Sequence, residues 1–189
     1  WSKDASERMK IKIDQRVLTD LLTDVAAANK GASAGAISAD LNIGVASSPI
    51  AISKSNAIDQ IVNMGTVLDE ANCPESDRFI VIPAKMAGHI KLSDLKDASI
   101  TGDGTSPLRN GRLGMIDRFT VYVSHNLYKN GSEFSIIAGH KMGFTFASQM
   151  TNMETIRSET TFGNIIRGLQ VYGYKVVKPE ALAVGIVTV

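Results

Sequence analysis

The chain contains 189 residues, of which 44% are hydrophobic and 21% are charged, a composition typical of a globular protein and not of a disordered one. Its 20 Lys and Arg residues are matched by 19 Asp and Glu residues, so the formal net charge is +1. This balance argues against a domain dedicated to nucleic acid or to an anionic membrane surface, because such domains are usually strongly basic.

The first element is a long helix, predicted from Asp4 to Asn29. Asp4 followed three residues later by Glu7 is typical of a capping box, although Ser2 is an alternative cap, and Gly31 follows the carboxyl end. A helix of this length spans roughly 39 Å. Its second half is amphipathic, with an apolar face formed by Val17, Leu18, Leu21, Leu22 and Val25.

The first half of this helix has a less regular pattern. Met9, Ile11 and Ile13 are spread around the helix axis, as expected if this part contacts several partners or once continued into contacts that are now absent. A helix this long also extends beyond what a small core can cover. The chain begins with Trp1 and not with Met, so we expect that an upstream segment has been lost.

The middle of the chain predicts a helix, a strand and a further helix. Asn56, with Asp59 at the third position, is predicted to cap a helix that stops before Pro74, because proline disfavours the helical conformation in the preceding residue. Residues 78–83 form a short apolar, β-branched run typical of a buried strand. Residues 84–95 then have a helical pattern.

The carboxyl half is predicted to be rich in strands. A turn-rich loop precedes a strand at 119–124, and Asn130-Gly131 is a strong signal for a two-residue hairpin turn. Residues 143–157 alternate with period two, and two further strand-like segments extend to residue 189. Because helices and strands follow no regular alternation, the pattern favours an α+β fold with a mixed or antiparallel sheet.

The sequence contains little that indicates catalysis. His89, His125 and His140 are far apart and form no HExxH motif, so they predict no metal site, and His140 is expected to be hydrogen-bonded at a strand end. Cys73 is the single cysteine, so neither an intrachain disulfide nor a cysteine-paired zinc site can form. The glycine-rich segment at 102–111 lacks the GK[ST] sequence of a phosphate-binding loop. No catalytic residue, metal or cofactor is predicted.

Several segments occur in an order that resembles one known family. They are LDEANCP and RFIVIPA within residues 68–84, NGRLGMIDRFTVYVSHNL at 110–127, SIIAGHKMGFTFASQM, METIRSE, and GLQVYGYKVVKPEAL at 168–182. In this order and spacing the chain resembles, over residues 1–187, the major capsid proteins of tailed bacteriophages, podovirus-type, whose fold is named after phage Hong Kong 97. Each segment alone is an ordinary strand or turn motif, so the resemblance depends on their order.

The resemblance implies an α+β capsid fold with a long spine helix, a peripheral domain and an axial domain that contains a mixed β-sheet. It assigns residues 1–55 and 145–175, with the spine helix at 4–29, to the peripheral domain. Residues 56–144 and 176–189 then belong to the axial domain. The family carries an amino-terminal arm and an extended loop before the spine helix, and we expect this chain to be a carboxy-terminal portion that lacks both.

The resemblance also implies a structural protein and not an enzyme. Such a subunit self-assembles into the icosahedral shell that encloses a phage double-stranded DNA genome. The expected partners are copies of the chain in pentamers and hexamers, packaged DNA held non-specifically on the inner surface, and portal and scaffolding proteins. The expected location is the virion capsid after synthesis in the host bacterial cytoplasm. No membrane partner is expected, since no apolar run approaches the roughly 20 residues of a span.

Functional residues of a shell subunit are expected at interfaces between copies. The loop at 97–118 resembles the axial loop of the family, and Arg109 and Arg112 are predicted to make polar contacts between subunits there. Met9, Ile11 and Ile13 are predicted to be contacts on the spine helix. The alternatives are an encapsulin-like nanocompartment shell protein, which shares the fold, and a small α+β hydrolase that uses a histidine.

Overall fold

The computed structural model describes residues 2–93, 114–159 and 162–189. Its helices are α1 (Ser2–Asp24), α2 (Ala57–Glu70) and α3 (Ala84–Lys91). Its strands are β1 (Ile50–Ala51), β2 (Arg78–Ile82), β3 (Met115–Ile116), β4 (Phe119–Val123), β5 (Lys129–Asn130), β6 (Glu133–His140), β7 (Phe144–Arg157), β8 (Asn164–Val176) and β9 (Leu182–Thr188).

Seven of these strands form one mixed sheet. Its order is β1-β9-β6-β2-β4-β3, and β5 pairs with β6 beside this path. The pairs β1–β9 and β2–β4 are parallel, whereas β2–β6, β6–β9 and β3–β4 are antiparallel. The strands β7 and β8 form a separate two-stranded antiparallel ribbon. The predicted α+β class with a mixed sheet is therefore confirmed.

The central strands carry apolar side chains on both faces of the sheet. In β6, Ile136 and Ala138 lie in one buried cluster, whereas Ile137 between them lies in a second cluster. Strand β9 alternates in the same way, with Ala183 in the first cluster and Val184 in the second. Successive residues of a strand point to opposite faces, so these strands are shared between two cores.

The larger core lies between the sheet and the helices α2 and α3. Helix α2 contributes a continuous apolar face because its buried residues recur at helical spacing: Ala57, Ile61, Met64, Val67 and Leu68. Helix α3 adds Met86 and Ile90. The connecting segment between α1 and α2 also packs here through Ala34, Ile43 and Ile52.

The smaller core lies on the opposite face of the sheet, beneath α1. Ile13, Val17, Leu21 and Val25 form a buried stripe on this side, as the amphipathic pattern of the helix predicts. They pack against Leu182 and other residues of the sheet, and against partly buried aromatic residues at the base of the β7–β8 ribbon. The sheet is thus covered by helices on both faces.

The carboxyl end of α1 comes earlier than the predicted Asn29. The helix ends at Asp24, and a separate 3₁₀ turn follows at Ala27–Asn29. The buried Asn29 side chain donates hydrogen bonds to the carbonyls of Glu180 at 2.7 Å and Leu182 at 2.9 Å. These long-range bonds draw the chain away from the helix axis, so tertiary contacts, not local sequence, set this boundary.

The predicted cap of α1 is wrong, and the predicted cap of α2 is confirmed in position but makes no capping hydrogen bond. Helix α1 begins at Ser2, so Asp4 lies inside its first turn, where its carboxylate pairs with Arg8 at 3.2 Å. Helix α2 begins as predicted after Asn56, but the Asn56 side chain accepts a hydrogen bond from the Ser53 backbone N–H at 2.7 Å and caps no helical N–H. In both cases the polar side chain binds another group instead of a free backbone N–H at the start of the helix.

The predicted hairpin near Asn130 is present, with its turn displaced by one residue. Asn130 pairs with Glu133 across β5 and β6, so Gly131 and Ser132 form the two-residue loop. Gly131 has a φ of +59°, a conformation that glycine adopts without strain. The strand predicted at 119–124 is confirmed as β4. Of the loop at 97–118, only its end at 114–118 lies within the described residues.

A buried arginine fixes the start of β2. The Arg78 side chain is completely inaccessible to solvent, and it donates hydrogen bonds to the carbonyls of Pro74 at 2.8 Å and Cys73 at 2.6 Å. Its guanidinium also pairs with the Asp69 carboxylate at 2.6 Å. A buried charge is tolerated only when it is paired and hydrogen-bonded, as it is here.

Asp69 connects this buried arginine to the turn between β3 and β4. Its second carboxylate oxygen accepts a hydrogen bond from Arg118 at 2.8 Å, and Arg118 also pairs with Glu75 at 3.0 Å. Partial burial opposes ionisation of Asp69, but Arg78 and Arg118 together hold its pKa below the ordinary value. Asp117 and Arg118, the two residues between β3 and β4, both have positive φ angles, as a two-residue type I′ turn requires.

We predict that Arg78→Met lowers the free energy of unfolding by about 3 kcal/mol or more, because it removes the charge that compensates Asp69 and leaves buried carbonyls without donors. Denaturant unfolding of the purified chain measures this loss. Arg118→Met is the matched control, because Arg118 is partly exposed and its loss should be much smaller. Equal losses in the two variants would show that burial of Arg78 does not make its ion pair more important than that of Arg118.

Candidate assembly interface

The β7–β8 ribbon is the most extended feature of the described structure. Its strands have 14 and 13 residues, and their pairing runs from Phe144 opposite Val176 to Arg157 opposite Asn164. At about 3.3 Å per residue the ribbon is roughly 45 Å long. The register shifts between Met150 and Asn152, so the ribbon contains a bulge about halfway along.

The base of the ribbon is attached to the rest of the molecule through aromatic side chains. Phe144 meets Phe79 of β2 edge to face, with ring centroids 6.1 Å apart. Tyr172 lies beside Tyr174 at 6.2 Å and beside Phe146 at 6.3 Å. Rings at these separations attract one another in addition to the apolar area that they bury. The base is therefore fixed against α1 and the sheet.

A polar contact joins the ribbon directly to α1. The hydroxyl of Tyr174 donates a short hydrogen bond to the Asp20 carboxylate, which also pairs with Arg16 at 2.7 Å. The Tyr174 hydrogen bond and then the Arg16 contact hold the pKa of Asp20 below its ordinary value. The same hydrogen bond to Asp20 raises the pKa of Tyr174. Both shifts indicate that the contact favours the ionised carboxylate and the neutral phenol.

The distal part of the ribbon lacks such support. The described side chains at 154–157 and 164–169 are all exposed. A two-stranded ribbon without a packed face is marginally stable in water. One face of β8 nevertheless presents apolar side chains to solvent, and together with Ile156 of β7 it forms what we call the outward stripe: Ile156, Ile165, Leu169 and Val171.

The outward stripe has the character of a contact surface. Glu154 and Arg167 lie opposite each other within it and form an ion pair. The Arg167 guanidinium donates two hydrogen bonds to one carboxylate oxygen of Glu154, at 2.7 and 3.0 Å. A contiguous exposed apolar patch with a polar element is typical of a surface that a partner covers. The strands of the ribbon are predictable from the sequence, but this stripe is not, since alternation alone does not reveal which face is covered.

The helix residues predicted to contact partners lie in three different environments. Ile11 is 43% exposed, Met9 is partly buried, and Ile13 is only 9% exposed and belongs to the smaller core. Met9 and Ile13 line a shallow hollow with Gln170 and Tyr172 of the ribbon. Arg109 and Arg112 lie outside the described residues.

The described residues contain no group of three or more His, Cys, Asp or Glu side chains that could hold a metal ion. His140 ends β6, and its Nδ1 accepts a hydrogen bond from the Met142 N–H at 3.0 Å, as expected for a histidine at a strand end. Cys73 is buried, and burial raises the pKa of its thiol. No helix in the part of the chain that the structure describes is long and apolar enough to cross a membrane.

We predict that Tyr174→Phe destabilises the attachment of the ribbon at neutral pH. Because the pKa of Asp20 is lowered from 3.8 in the folded chain, this contribution is present above pH 3.8 and is lost as the pH falls through the folded pKa. The difference in melting temperature between the parent and the variant should therefore shrink in acid. Thermal unfolding over a series of pH values measures it, and Tyr128→Phe at an exposed tyrosine should show no such difference.

Comparison with known proteins gives one family and one fold. The family described as phage capsid protein matches residues 1–185. A solved structure from Mycobacterium phage Che8 is similar with a TM-score of 0.75 and 24% identity, covering 97% of this chain and 61% of that chain. The capsid structure of the cyanophage P-SCSP1u is similar with a TM-score of 0.62 and 16% identity, covering 97% and 64%. No curated protein sequence matches the chain.

The chain spans less than two thirds of the length of each of these two solved chains. At such identities the structural likeness concerns the fold, and it confirms the predicted capsid-like α+β architecture. The family match covers nearly the whole sequence, including the spine helix, the sheet and the ribbon. On this evidence the chain belongs to the phage capsid protein family.

Proposed function

We propose that this chain is the shell-forming part of a major capsid protein that self-assembles into an icosahedral shell around a phage double-stranded DNA genome. The observation that carries the proposal is the family match over residues 1–185. A shell subunit functions by burying complementary surfaces under closed symmetry, and it needs no enclosed catalytic site. The role is structural, and we propose that it involves no enzymatic activity.

The geometry of the ribbon supports this proposal. A ribbon of roughly 45 Å that exposes apolar side chains is costly for a solitary molecule and useful for one that packs against neighbours. Its aromatic base and the Tyr174–Asp20 hydrogen bond orient it rigidly relative to α1. A fixed orientation lowers the entropy lost on association, so the ribbon is suited to assembly.

The proposed partners follow from the same role. Copies of the chain form pentamers and hexamers, and portal and scaffolding proteins complete the particle. Packaged DNA contacts the inner surface non-specifically, and the formal charge of +1 implies a weak contact that decreases with salt. The protein is made in the host bacterial cytoplasm and resides in the virion capsid.

We further propose the division into a peripheral domain, 1–55 with 145–175, and an axial domain, 56–144 with 176–189. The presence of two buried clusters on opposite faces of the sheet supports a two-part organisation. The two parts share the sheet, so they are continuous in the packed core.

The contact residues on α1 remain a proposal. Ile11 is exposed and Met9 lies partly buried beside the ribbon, so both are suited to direct contact with another subunit. Ile13 is buried within the chain and would act by holding this part of α1 in place. For Arg109 and Arg112 we propose polar contacts between axial loops, on the strength of the family resemblance.

Electron microscopy of the full-length gene product, expressed in a bacterial host, tests the proposed function. We expect closed shells of uniform diameter, because closed symmetry leaves no interface unsatisfied. A product that stays a small monomer at high concentration and in the presence of its scaffolding protein would refute the proposal.

A second test concerns the outward stripe. The double variant Ile165→Asp with Val171→Asp should fold normally, because both side chains are exposed, but should yield far fewer shells. Sedimentation of lysates measures the yield of particles, and circular dichroism checks the fold. Val62→Asp, at an exposed apolar position on α2, is the control for an added charge and should assemble more efficiently than the double variant.

A further inference from the structure

An apolar groove opens between α1, the sheet and the base of the ribbon. Its volume is about 520 Å³, enough to accept an aromatic side chain. Its walls are formed by Leu18 of α1, Phe79 of β2, Tyr122 of β4 and Phe146 of β7. Tyr122 and Phe146 are about half exposed, so the groove is accessible from solvent in the isolated chain.

Two charged residues lie at the rim of this groove. Lys141 is paired with Asp77 at 2.6 Å, so its charge is balanced within the chain. Asp14 is exposed, and it has no cationic partner among the described residues. The groove therefore presents an apolar interior and a carboxylate that is free to pair with an incoming cation.

The tip of the ribbon has the complementary features. Phe162, between β7 and β8, is fully exposed. The Arg157 guanidinium lies over its ring, 5.9 Å from the centroid, and has no carboxylate partner among the described residues. Aromatic residues, phenylalanine among them, and arginine are both enriched at protein interfaces.

The tip of a chain cannot fill the groove of the same chain. The groove includes Phe144 and Phe146, which lie at the base of the ribbon, whereas Phe162 lies beyond its far end. The two are separated by nearly the full length of the ribbon, roughly 45 Å. The paired strands β7 and β8 run from the base to the far end, and the Phe144–Phe79 contact holds the base against the sheet, so the ribbon does not fold back. The groove and the tip can meet only between two copies.

We propose that Phe162 of one subunit inserts into the groove of a neighbouring subunit, with Arg157 pairing with the neighbour's Asp14. The contact joins different surfaces of the two copies, so each subunit offers one tip and one groove. Head-to-tail contacts of this kind continue from copy to copy and close into rings when the rotation permits. The inference rests on the proposed shell function and identifies a specific contact within it.

Site-directed cross-linking in assembled particles tests the contact. Gly163→Cys places a thiol beside Phe162 in open space, and Ser124→Cys places one in the lining of the groove. With both changes in one chain, a short bismaleimide should give a ladder of dimers and larger multimers, because every copy carries one thiol at its ribbon tip and one in its groove. The matched control replaces Ser124→Cys by Thr145→Cys, which lies on the opposite face of the ribbon base and should give no ladder.

Exchanging the charges of Asp14 and Arg157 tests the proposed ion pair between subunits. Asp14→Arg and Arg157→Asp should each lower the yield of particles, and the chain that carries both changes should recover it. Phe162→Ala should reduce the yield by more than about tenfold, as for an aromatic anchor at the centre of an interface, and Phe162→Trp should retain it. All three positions are exposed, so the variants should fold like the parent.

The outcomes separate this contact from the proposed function. If the parent forms shells but the double-cysteine chain gives no ladder and Phe162→Ala assembles normally, the contact is wrong and the shell function stands. If a cross-linker attached at Ser124→Cys captures a segment other than the ribbon tip, the groove has another occupant and the contact is again wrong. If the parent forms no shells, the proposed shell function is wrong, and the proposed contact is wrong with it.

Discussion

The double-sided apolar character of β6, β9 and β2 is the constraint on which the rest of the structure depends. Ile136 and Ile137 are adjacent in β6, yet each is buried in a different core. Such strands are stable only when both faces of the sheet are covered, so α2 and α3 must pack on one side and α1 on the other. The position of α1, and with it the direction of the ribbon, is a consequence of this requirement.

Because the base of the ribbon packs on α1, the position of α1 determines where the distant tip of the ribbon lies. It has no core of its own, so its direction is determined at its base by Phe144, Tyr172 and Tyr174. The hydrogen bond from Tyr174 to Asp20 couples the ribbon to the carboxyl-terminal part of α1. The tip of a ribbon that is held only at its base has a defined position only if the base is rigid. The aromatic side chains packed at the base provide this rigidity.

Much of the architecture could be predicted from the sequence. The buried strand at 78–82, the amphipathic half of α1 and the hairpin near Asn130 follow from local patterns, because apolar periodicity and turn-forming residues act over a few positions. The predictions that failed were helix ends. Asp4 pairs with Arg8 on the next turn of the same helix, which the capping pattern did not reveal. Asn29 binds carbonyls more than 150 residues away, so a partner far outside the local window decided the other end.

The sequence by itself determined the α+β class, the order of most elements and the resemblance to phage capsid proteins, because these depend on local pattern and on the order of segments. Only the tertiary structure decided which apolar residues are covered and which are not. Ile13 and Ile11 look alike in the helical pattern, but Ile13 is buried between α1 and the sheet whereas Ile11 faces solvent. The groove could not be predicted from the sequence either, because a cavity is formed by residues that are distant in the chain. The exposure of Phe162 could not be predicted, because exposure depends on everything that packs around a side chain.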